Sequence, residues 1–136
     1  AALDGVHALT DVTGFGLAGH TLELARGAQC TVQIDWDRVP LLSSVRELAA
    51  QGMVTGASGR NWAGYGHDVE LVPGFDPLNQ ALLSDPQTCG GLFVTCAPEA
   101  VDAVLAIFKA HGFDDAAEIG EILQGDGSGT GKLRVR

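Results

Sequence analysis

Glycine constrains this chain more than any other residue type. The sequence has 19 glycines among its 136 residues, about twice the roughly 7% share that is usual in proteins. Glycine permits tight turns and close approach of one backbone segment to another. Several glycines stand beside short apolar segments, at 14–19 and at 90–91. The pattern predicts a fold of short elements whose turns lie close together.

Length and composition indicate a globular chain organised as one domain, residues 1–136. A chain of this length buries roughly 65 to 70% of the surface that it exposes when unfolded. Apolar residues make up 46% and charged residues 18%, so intrinsic disorder is excluded. The chain is too short for a complete two-domain enzyme. It opens without a methionine and enters a strand-like pattern at once, which suggests a piece of a longer polypeptide.

Hydrophobic periodicity predicts short strands and helices in mixed order. A βαβα start is followed by a polar connection, a short helix, a buried strand and an amphipathic helix. The predicted strands are 5–12, 30–35 and 92–96, and the predicted helices are 16–26, a segment from Ser44 toward Gly52, 76–83, and a segment from Pro98 to Gly112. Asp76 and Pro77 suit the N-cap and first position of the third helix.

Two further segments are predicted from their glycine content. Residues 52–74 carry many glycines and few long aliphatic side chains, so they are predicted to form a long loop. The segments AEIGEIL and LRVR flank the small polar residues at 124–132, which predicts a terminal β-hairpin with a flexible connection.

The charge balance limits the kinds of partner. Eight basic residues stand against 17 acidic ones, a net charge of -9. Nucleic acid is not an expected partner because phosphate backbones require a basic stripe, and here the basic residues are scattered. A nucleotide is still compatible with an acidic chain when a divalent cation lies between carboxylates and phosphates.

The three cysteines and the hydropathy suggest a cytoplasmic protein. Cys30, Cys89 and Cys96 form no CxxC pair, which argues against a disulfide framework and a zinc site. Cys30 and Cys96 are expected in the core, within apolar strands. No apolar run is long enough to span a bilayer, so no membrane association is expected.

One local pattern resembles a dinucleotide-binding fingerprint. Gly14-x-Gly16-x-x-Gly19 follows a predicted strand and opens a helix, and Asp35 ends the next strand. The polar residues before the glycines weaken this interpretation. The alternative is a tight turn that seats the helix against a sheet.

Asp11 is the candidate binding carboxylate. It ends the first predicted strand, just before the glycine turn and a helix N-terminus, where anions are favoured. A carboxylate there can hold a Mg²⁺ ion that bridges to phosphates. An aspartate at a turn can equally hydrogen-bond its own backbone, so the residue pattern leaves both roles open.

A second polar turn, DPQTCGG at 85–91, leads into the predicted strand 92–96. Its successive backbone N–H groups can form an anion-binding concavity. No neighbouring His or Lys is present to activate Cys89, so this cysteine is expected to be a small packing residue. His20, at the margin of the first helix's apolar stripe, is expected to be a structural histidine.

Three segments together resemble the C-terminal domain of the selenophosphate synthetases (selenide, water dikinases). They are TDVTGFGLAGH at 10–20, GRNWAGYGH at 59–67 and LLSDPQTCGGL at 82–92, in the family's order and at about its intervals. The resemblance spans nearly the whole chain. The wider relatives are the aminoimidazole ribonucleotide synthetase group of ATP-using enzymes.

The resemblance implies an α+β fold, in which a mixed β-sheet is packed by helices in α/β/α layers. It implies an enzyme that converts ATP, selenide and water into selenophosphate, AMP and orthophosphate with Mg²⁺ as cofactor. In that family the catalytic residues lie in an N-terminal domain, so no catalytic residue is expected in this chain. The expected partners are that N-terminal domain and a second copy, since family members are typically homodimers.

The resemblance also assigns site residues. Asp11 matches the family aspartate that joins the Mg²⁺ cluster facing the ATP phosphates, which favours the metal role over a turn cap. Positions near the interdomain cleft, expected to bind ATP, are Thr10, Thr13, Asn61, Thr88, Gly90 and Gly91. Cys89 departs from the serine that is more usual in the family pattern, which puts a hydroxyl-dependent role at that position in doubt.

A second class of function is compatible with these residues. The chain could be a non-enzymatic module that binds a nucleotide or a protein partner through an apolar cleft wall. In either case the isolated chain is expected to have no synthetase activity.

Overall fold

The computed structural model describes residues 3–125 and 129–136. In chain order the strands are β1 (Val6–Asp11), β2 (Thr31–Ile34), β3 (Val69–Leu71), β4 (Leu92–Cys96), β5 (Gly120–Leu123) and β6 (Lys132–Val135). The helices are α1 (Gly16–Ala28), α2 (Val45–Ala50), α3 (Gly56–Tyr65), α4 (Pro77–Leu83) and α5 (Val101–Ala110). None of the described helices combines the length and apolar character needed to cross a membrane.

The strands form two sheets. β1 and β4 make a two-stranded antiparallel ribbon, and the second sheet has the order β3-β6-β2-β5. In that sheet β6 runs parallel to β2 and to β3, whereas β5 runs antiparallel to β2. The mixed sheet with packed helices confirms the predicted α+β class.

The core lies between α1 and the four-stranded sheet. Leu22 of α1, Ile34 of β2, Leu133 and Val135 of β6 and Leu83 of α4 have no exposed surface. These side chains come from distant parts of the sequence, and burying each one contributes roughly 1.5 to 3 kcal/mol. Helix α1 is therefore held firmly, and its N-terminal end fixes the turn that precedes it.

The predicted terminal hairpin is wrong. β5 and β6 do not pair with each other, because β2 lies between them and hydrogen-bonds to both. Strand β2, whose sequence is TVQI, is almost wholly buried. A central strand needs a partner on each edge to satisfy its backbone groups. Residues 126–128 of the predicted connection lie outside the described part of the chain.

The predicted loop over 52–74 is also wrong, since it contains α3 and β3. The N-cap of α3 is Thr55, whose side-chain oxygen accepts a hydrogen bond from the Ser58 N–H at 3.3 Å. Helix α3 contains three glycines, which lower its intrinsic propensity. Its packing against α1 and α4 compensates, as tertiary contacts commonly do.

Most other elements follow the sequence prediction within a few residues. In α4, Asp76 is the N-cap and Pro77 the first residue, and the Asp76 carboxylate accepts from the Leu78 N–H at 2.8 Å. The predicted helix from Pro98 begins with a 3₁₀ turn and continues as α5. The elements with strong local signals therefore form where they are expected.

The cysteine predictions need correction. Cys30 is half-buried and packs against the core, as expected, whereas Cys96 is only half-buried and Cys89 is exposed instead of packed. All three are free thiols.

Candidate functional site

The β1–β4 ribbon brings two motif segments together at one end. We call residues 11–16 the β1 loop and residues 85–91 the β4 loop. Asp11 is paired with Leu92 in the ribbon register, and the Val12 N–H donates to the Gly91 carbonyl at 2.9 Å. The Gln87 N–H donates to the Thr13 carbonyl at 3.0 Å. The two loops therefore form one structural unit.

Two glycines allow this close approach. A Cβ on Gly90 would lie 2.0 Å from the Val12 carbonyl oxygen, which is impossible without a backbone shift. Gly16 has φ +70, and a Cβ there would lie 2.7 Å from the Ser84 carbonyl carbon. The glycines of both motifs thus serve the contact between the loops. This use agrees with the tight-turn alternative to the dinucleotide fingerprint.

The dinucleotide interpretation itself is wrong. A dinucleotide fold requires the strands before and after the glycine turn to lie in one parallel sheet. Here β1 pairs antiparallel with β4, and β2 belongs to the other sheet. The βαβ order of the sequence is real, but the two strands do not share a sheet.

Asn61 of α3 joins the two loops from the third motif segment. Its Nδ2 group donates to the Gly14 carbonyl at 2.9 Å and to the Ser84 carbonyl at 3.0 Å. One amide therefore bridges the β1 loop and the residue that precedes the β4 loop. The structure brings Asn61 beside both loops, where its amide hydrogens bind backbone oxygens of the chain.

Asp11 is exposed at the end of the ribbon. Among the residues that the structure describes, none donates a hydrogen bond to its carboxylate or forms an ion pair with it. Those residues also contain no group of three or more His, Cys, Asp or Glu side chains suited to a metal ion. The Asp11 carboxylate is the exposed oxygen donor at this end of the ribbon that could supply one ligand to a metal ion.

The other predicted site residues differ in position. Thr10 is half-buried on the opposite ribbon face from Asp11, and its hydroxyl donates to the Asp11 carbonyl at 3.2 Å. Thr88 and Gly91 are exposed, and Gly90 is half-buried against Val12. Thr13, Gly90 and Gly91 thus lie with Asp11 where the β1 loop meets the β4 loop, a region that we call the loop junction. The Thr10 side chain does not lie there.

A polar cluster around Asp85 was not identified from the sequence. The Asp85 carboxylate accepts from the Ser58 hydroxyl at 3.0 Å, from the Thr55 hydroxyl at 3.3 Å and from Gln87 Nε2 at 2.9 Å. Asp85 therefore ties the start of α3 to the β4 loop. Its place as the first residue of DPQTCGG was the available signal, but its partners are 27 and 30 residues away in sequence.

A second chain of hydrogen bonds runs from Thr13 into α1. Thr13 Oγ1 lies 3.0 Å from His20 Nε2, and His20 Nδ1 lies 2.8 Å from a Glu23 carboxylate oxygen. His20 is 7% exposed, which confirms a satisfied structural histidine. Sequence reasoning missed Glu23, although its i,i+3 spacing from His20 on a helix indicates contact.

Tyr65, the last residue of α3, holds the β1 loop through a hydrogen bond to its backbone. It is 8% exposed, and its hydroxyl donates to the Phe15 carbonyl at 2.6 Å. Burial favours the neutral phenol, and it raises the pKa of Tyr65 from the ordinary value of 10.0 to about 12. The same ring lies against Gly19, where a Cβ would be 3.1 Å from it.

Because the pKa of Tyr65 is raised, the stability of the chain at alkaline pH tests whether this hydroxyl is buried. The free energy that the raised pKa contributes is fully present below pH 10.0 and is lost as the pH rises toward about 12. Tyr65 is the single tyrosine among the 136 residues, so an ultraviolet difference titration of the chain reports it alone. We expect phenolate to form near pH 12 in the folded chain; formation near pH 10 would contradict burial of the hydroxyl.

The matched variant is Tyr65→Phe, which keeps the ring and removes the hydroxyl. It should lower the free energy of unfolding by about 1 kcal/mol, the usual net value of one hydrogen bond. It should also abolish the tyrosine-dependent fall in stability at alkaline pH. Urea unfolding at neutral and alkaline pH measures both effects.

Comparison with known proteins gives a consistent family. The model of the family described as AIR synthase related protein, C-terminal domain, matches residues 1–132. The chain is 66% identical over 125 residues to a selenide, water dikinase of Burkholderia orbicola (strain MC0-3), and 58% identical over 125 residues to one of Pseudomonas straminea. In both cases the match covers 92% of this chain, and the chain spans about 35% of the relative's length.

Two solved structures share the fold. E. coli HypE, a hydrogenase maturation protein, has a TM-score of 0.63 at 22% identity, covering 98% of this chain and 32% of that chain. A HypE structure in complex with ATP has a TM-score of 0.57 at 24% identity, covering 88% of this chain and 28% of that chain. At these identities the likeness shows the fold alone.

Proposed function

Because the chain belongs to the AIR synthase related protein, C-terminal domain family, we propose that it is the C-terminal domain of a selenide, water dikinase. In this proposal the chain forms one wall of an ATP site, and the remaining walls and all catalytic residues lie in an N-terminal domain. The full-length enzyme converts ATP, selenide and water into selenophosphate, AMP and orthophosphate. It works in the cytoplasm as a homodimer.

The observation that carries the proposal is the exposed Asp11 carboxylate beside two loops that are hydrogen-bonded to each other. Asp11 ends a strand, and the loops beside it are held by backbone hydrogen bonds and by Asn61. Such an arrangement suits a carboxylate that must meet a ligand held mainly by another domain. Mg²⁺ prefers oxygen ligands and bridges carboxylates to phosphates, so Asp11 is the residue that would hold it here.

The apolar surface around Asp11 supports a domain contact. Leu9, Phe15 and Leu92 are 59%, 54% and 53% exposed. Leu9 and Leu92 lie on the same ribbon face as Asp11, since directly paired residues share a face. Exposed apolar side chains grouped beside a polar site are typical of a surface that another domain covers.

The roles of the chain's residues follow from the chemistry of phosphoryl transfer. That reaction depends mainly on positioning and on neutralisation of phosphate charge. When bound, Mg²⁺ supplies the neutralising charge. Asp11 would hold it from this side, and the contact between the loops would position Thr13, Thr88, Gly90 and Gly91 toward the ATP phosphates. Asp85 and Asn61 maintain the loop junction through their contacts with α3 and both loops.

A calorimetric titration tests the composite site. The chain is titrated with Mg²⁺-ATP twice: first by itself, and then after addition of the proposed N-terminal domain as a separate polypeptide. We expect heat of binding only in the mixture, since this chain supplies one ligand and no complete site. The Asp11→Asn chain should abolish or strongly weaken binding in the mixture. Tight Mg²⁺-ATP binding by the chain alone would refute the composite site.

A further inference from the structure

The Thr13–His20–Glu23 chain sets the direction of a hydrogen bond. An ionised carboxylate only accepts hydrogen bonds, so Glu23 requires a proton on His20 Nδ1, 2.8 Å away. In the neutral ring Nε2 then carries a lone pair, and the only way to make the 3.0 Å contact is for the Thr13 hydroxyl to donate. Glu23 therefore determines which nitrogen of the neutral His20 ring carries the proton.

The direction of that bond decides what Thr13 offers to a ligand. A hydroxyl has one donor and two acceptor lone pairs. Since its proton is used by His20, the Thr13 oxygen has only lone pairs left for a partner outside the chain. With the other tautomer, Nε2–H would donate to Thr13, and the Thr13 proton would be free to point outward.

Thr13 lies on the side of Asp11. Along extended backbone, alternate residues face the same way, and buried Val12 separates Asp11 from Thr13. The backbone remains extended here, because the Val12 N–H continues the ribbon pairing to Gly91. Thr13 is half-buried, so it contacts His20 and still borders the surface.

We propose that Glu23 and His20 are positioning residues that make Thr13 a hydrogen-bond acceptor for the hydrated divalent cation held by Asp11. The proposal rests on the proposed function. Mg²⁺ keeps several water molecules in its shell, and each of these waters donates hydrogen bonds. An oxygen that presents only lone pairs fits them, whereas an outward hydroxyl proton would oppose them.

The direct test is the Glu23→Gln variant in the full-length enzyme. Glu23 is largely exposed, so the isosteric amide should leave the fold intact. The amide can donate as well as accept, and it therefore no longer imposes the Nδ1–H tautomer. Nitrogen chemical shifts of the labelled ring, assigned with a His20→Gln variant, should show only the Nδ1–H tautomer in the wild type and a mixture in Glu23→Gln.

Magnesium dependence gives the second readout. The loss of one hydrogen bond predicts an increase of about 3- to 10-fold in the apparent Mg²⁺ constant for Thr13→Val, and a smaller increase for Glu23→Gln. Thr13→Ser keeps the hydroxyl and should remain within about twofold of the wild type. Glu47→Gln, an exposed change of equal charge on α2, is the matched control and should have no effect.

The outcomes separate this inference from the proposed function. An unchanged tautomer and an unchanged Mg²⁺ constant in Glu23→Gln overturn the inference, as does equal Mg²⁺ dependence of Thr13→Val and Thr13→Ser. If Asp11→Asn also leaves the Mg²⁺ constant unchanged, the proposed function fails as well. If Asp11→Asn raises the Mg²⁺ constant and the Thr13 and Glu23 variants do not, only the inference about Glu23, His20 and Thr13 is wrong.

Discussion

Replacing Asp11 with asparagine in the full-length enzyme should lower ATP turnover about 100-fold, the scale on which changes around a bound metal act. The exchange removes the carboxylate charge and keeps the size of the side chain. Asp11 is exposed, and among the described residues it has no side-chain partner to lose. The fold and the thermal midpoint should therefore be unchanged while turnover falls.

The matched control is Asp4→Asn, which removes the same charge from an exposed position just before β1. It should keep wild-type turnover, because Asp4 stands at the far end of the ribbon from the loop junction. Raising the Mg²⁺ concentration should restore part of the activity of Asp11→Asn and have no effect on the control. Wild-type turnover in Asp11→Asn at limiting Mg²⁺ would rule out the metal role.

Gly90→Ala is expected to damage the site strongly although it adds only one methyl group. The added Cβ would lie 2.0 Å from the Val12 carbonyl oxygen and 3.0 Å from the Gln87 Cβ. Because the first contact is with backbone, the loops must separate to relieve it. We expect a loss of about 2 to 3 kcal/mol in the free energy of unfolding, the upper part of the range of about 1 to 3 kcal/mol for overpacked sites, and strongly weakened Mg²⁺-ATP binding in the assembled enzyme.

The neighbouring glycine provides the control. Gly91→Ala adds the same methyl group one residue later, where nothing lies within 4 Å of the new atom. Its stability should stay within about 0.5 kcal/mol of the wild type, as for most surface changes. Urea unfolding of both variants measures the difference. Equal stability of the two variants would show that the loops are not in close backbone contact.

The sequence singles out candidate site residues but not the geometry that brings them together. Asp11 and the 85–91 turn stand out because each joins a polar, glycine-rich turn to an apolar strand. The contribution of Asp85 was missed because it depends on partners that are distant in sequence. Asp85 contacts Ser58 across 27 residues of sequence, and no local pattern indicates that pairing.

The segment 52–74 shows how tertiary contacts override a local signal. Its glycines predict a loop, but α3 forms there and places Asn61 and Tyr65 against the β1 loop. Those contacts bridge 47 and 50 residues of sequence. Their free energy stabilises a helix that its composition alone would not favour.

By itself the sequence determined the periodic helix α1 and the capped helix α4, because these follow from local hydrophobic period and capping chemistry. The α+β class and the motif residues came from the resemblance of three sequence segments to a known family. Only the tertiary structure decided which strands pair. β5 and β6 are consecutive strands, yet each pairs with the buried strand β2. Strand partners satisfy backbone groups across any sequence distance, so burial of β2, and not the glycine-rich connection, determined the pairing.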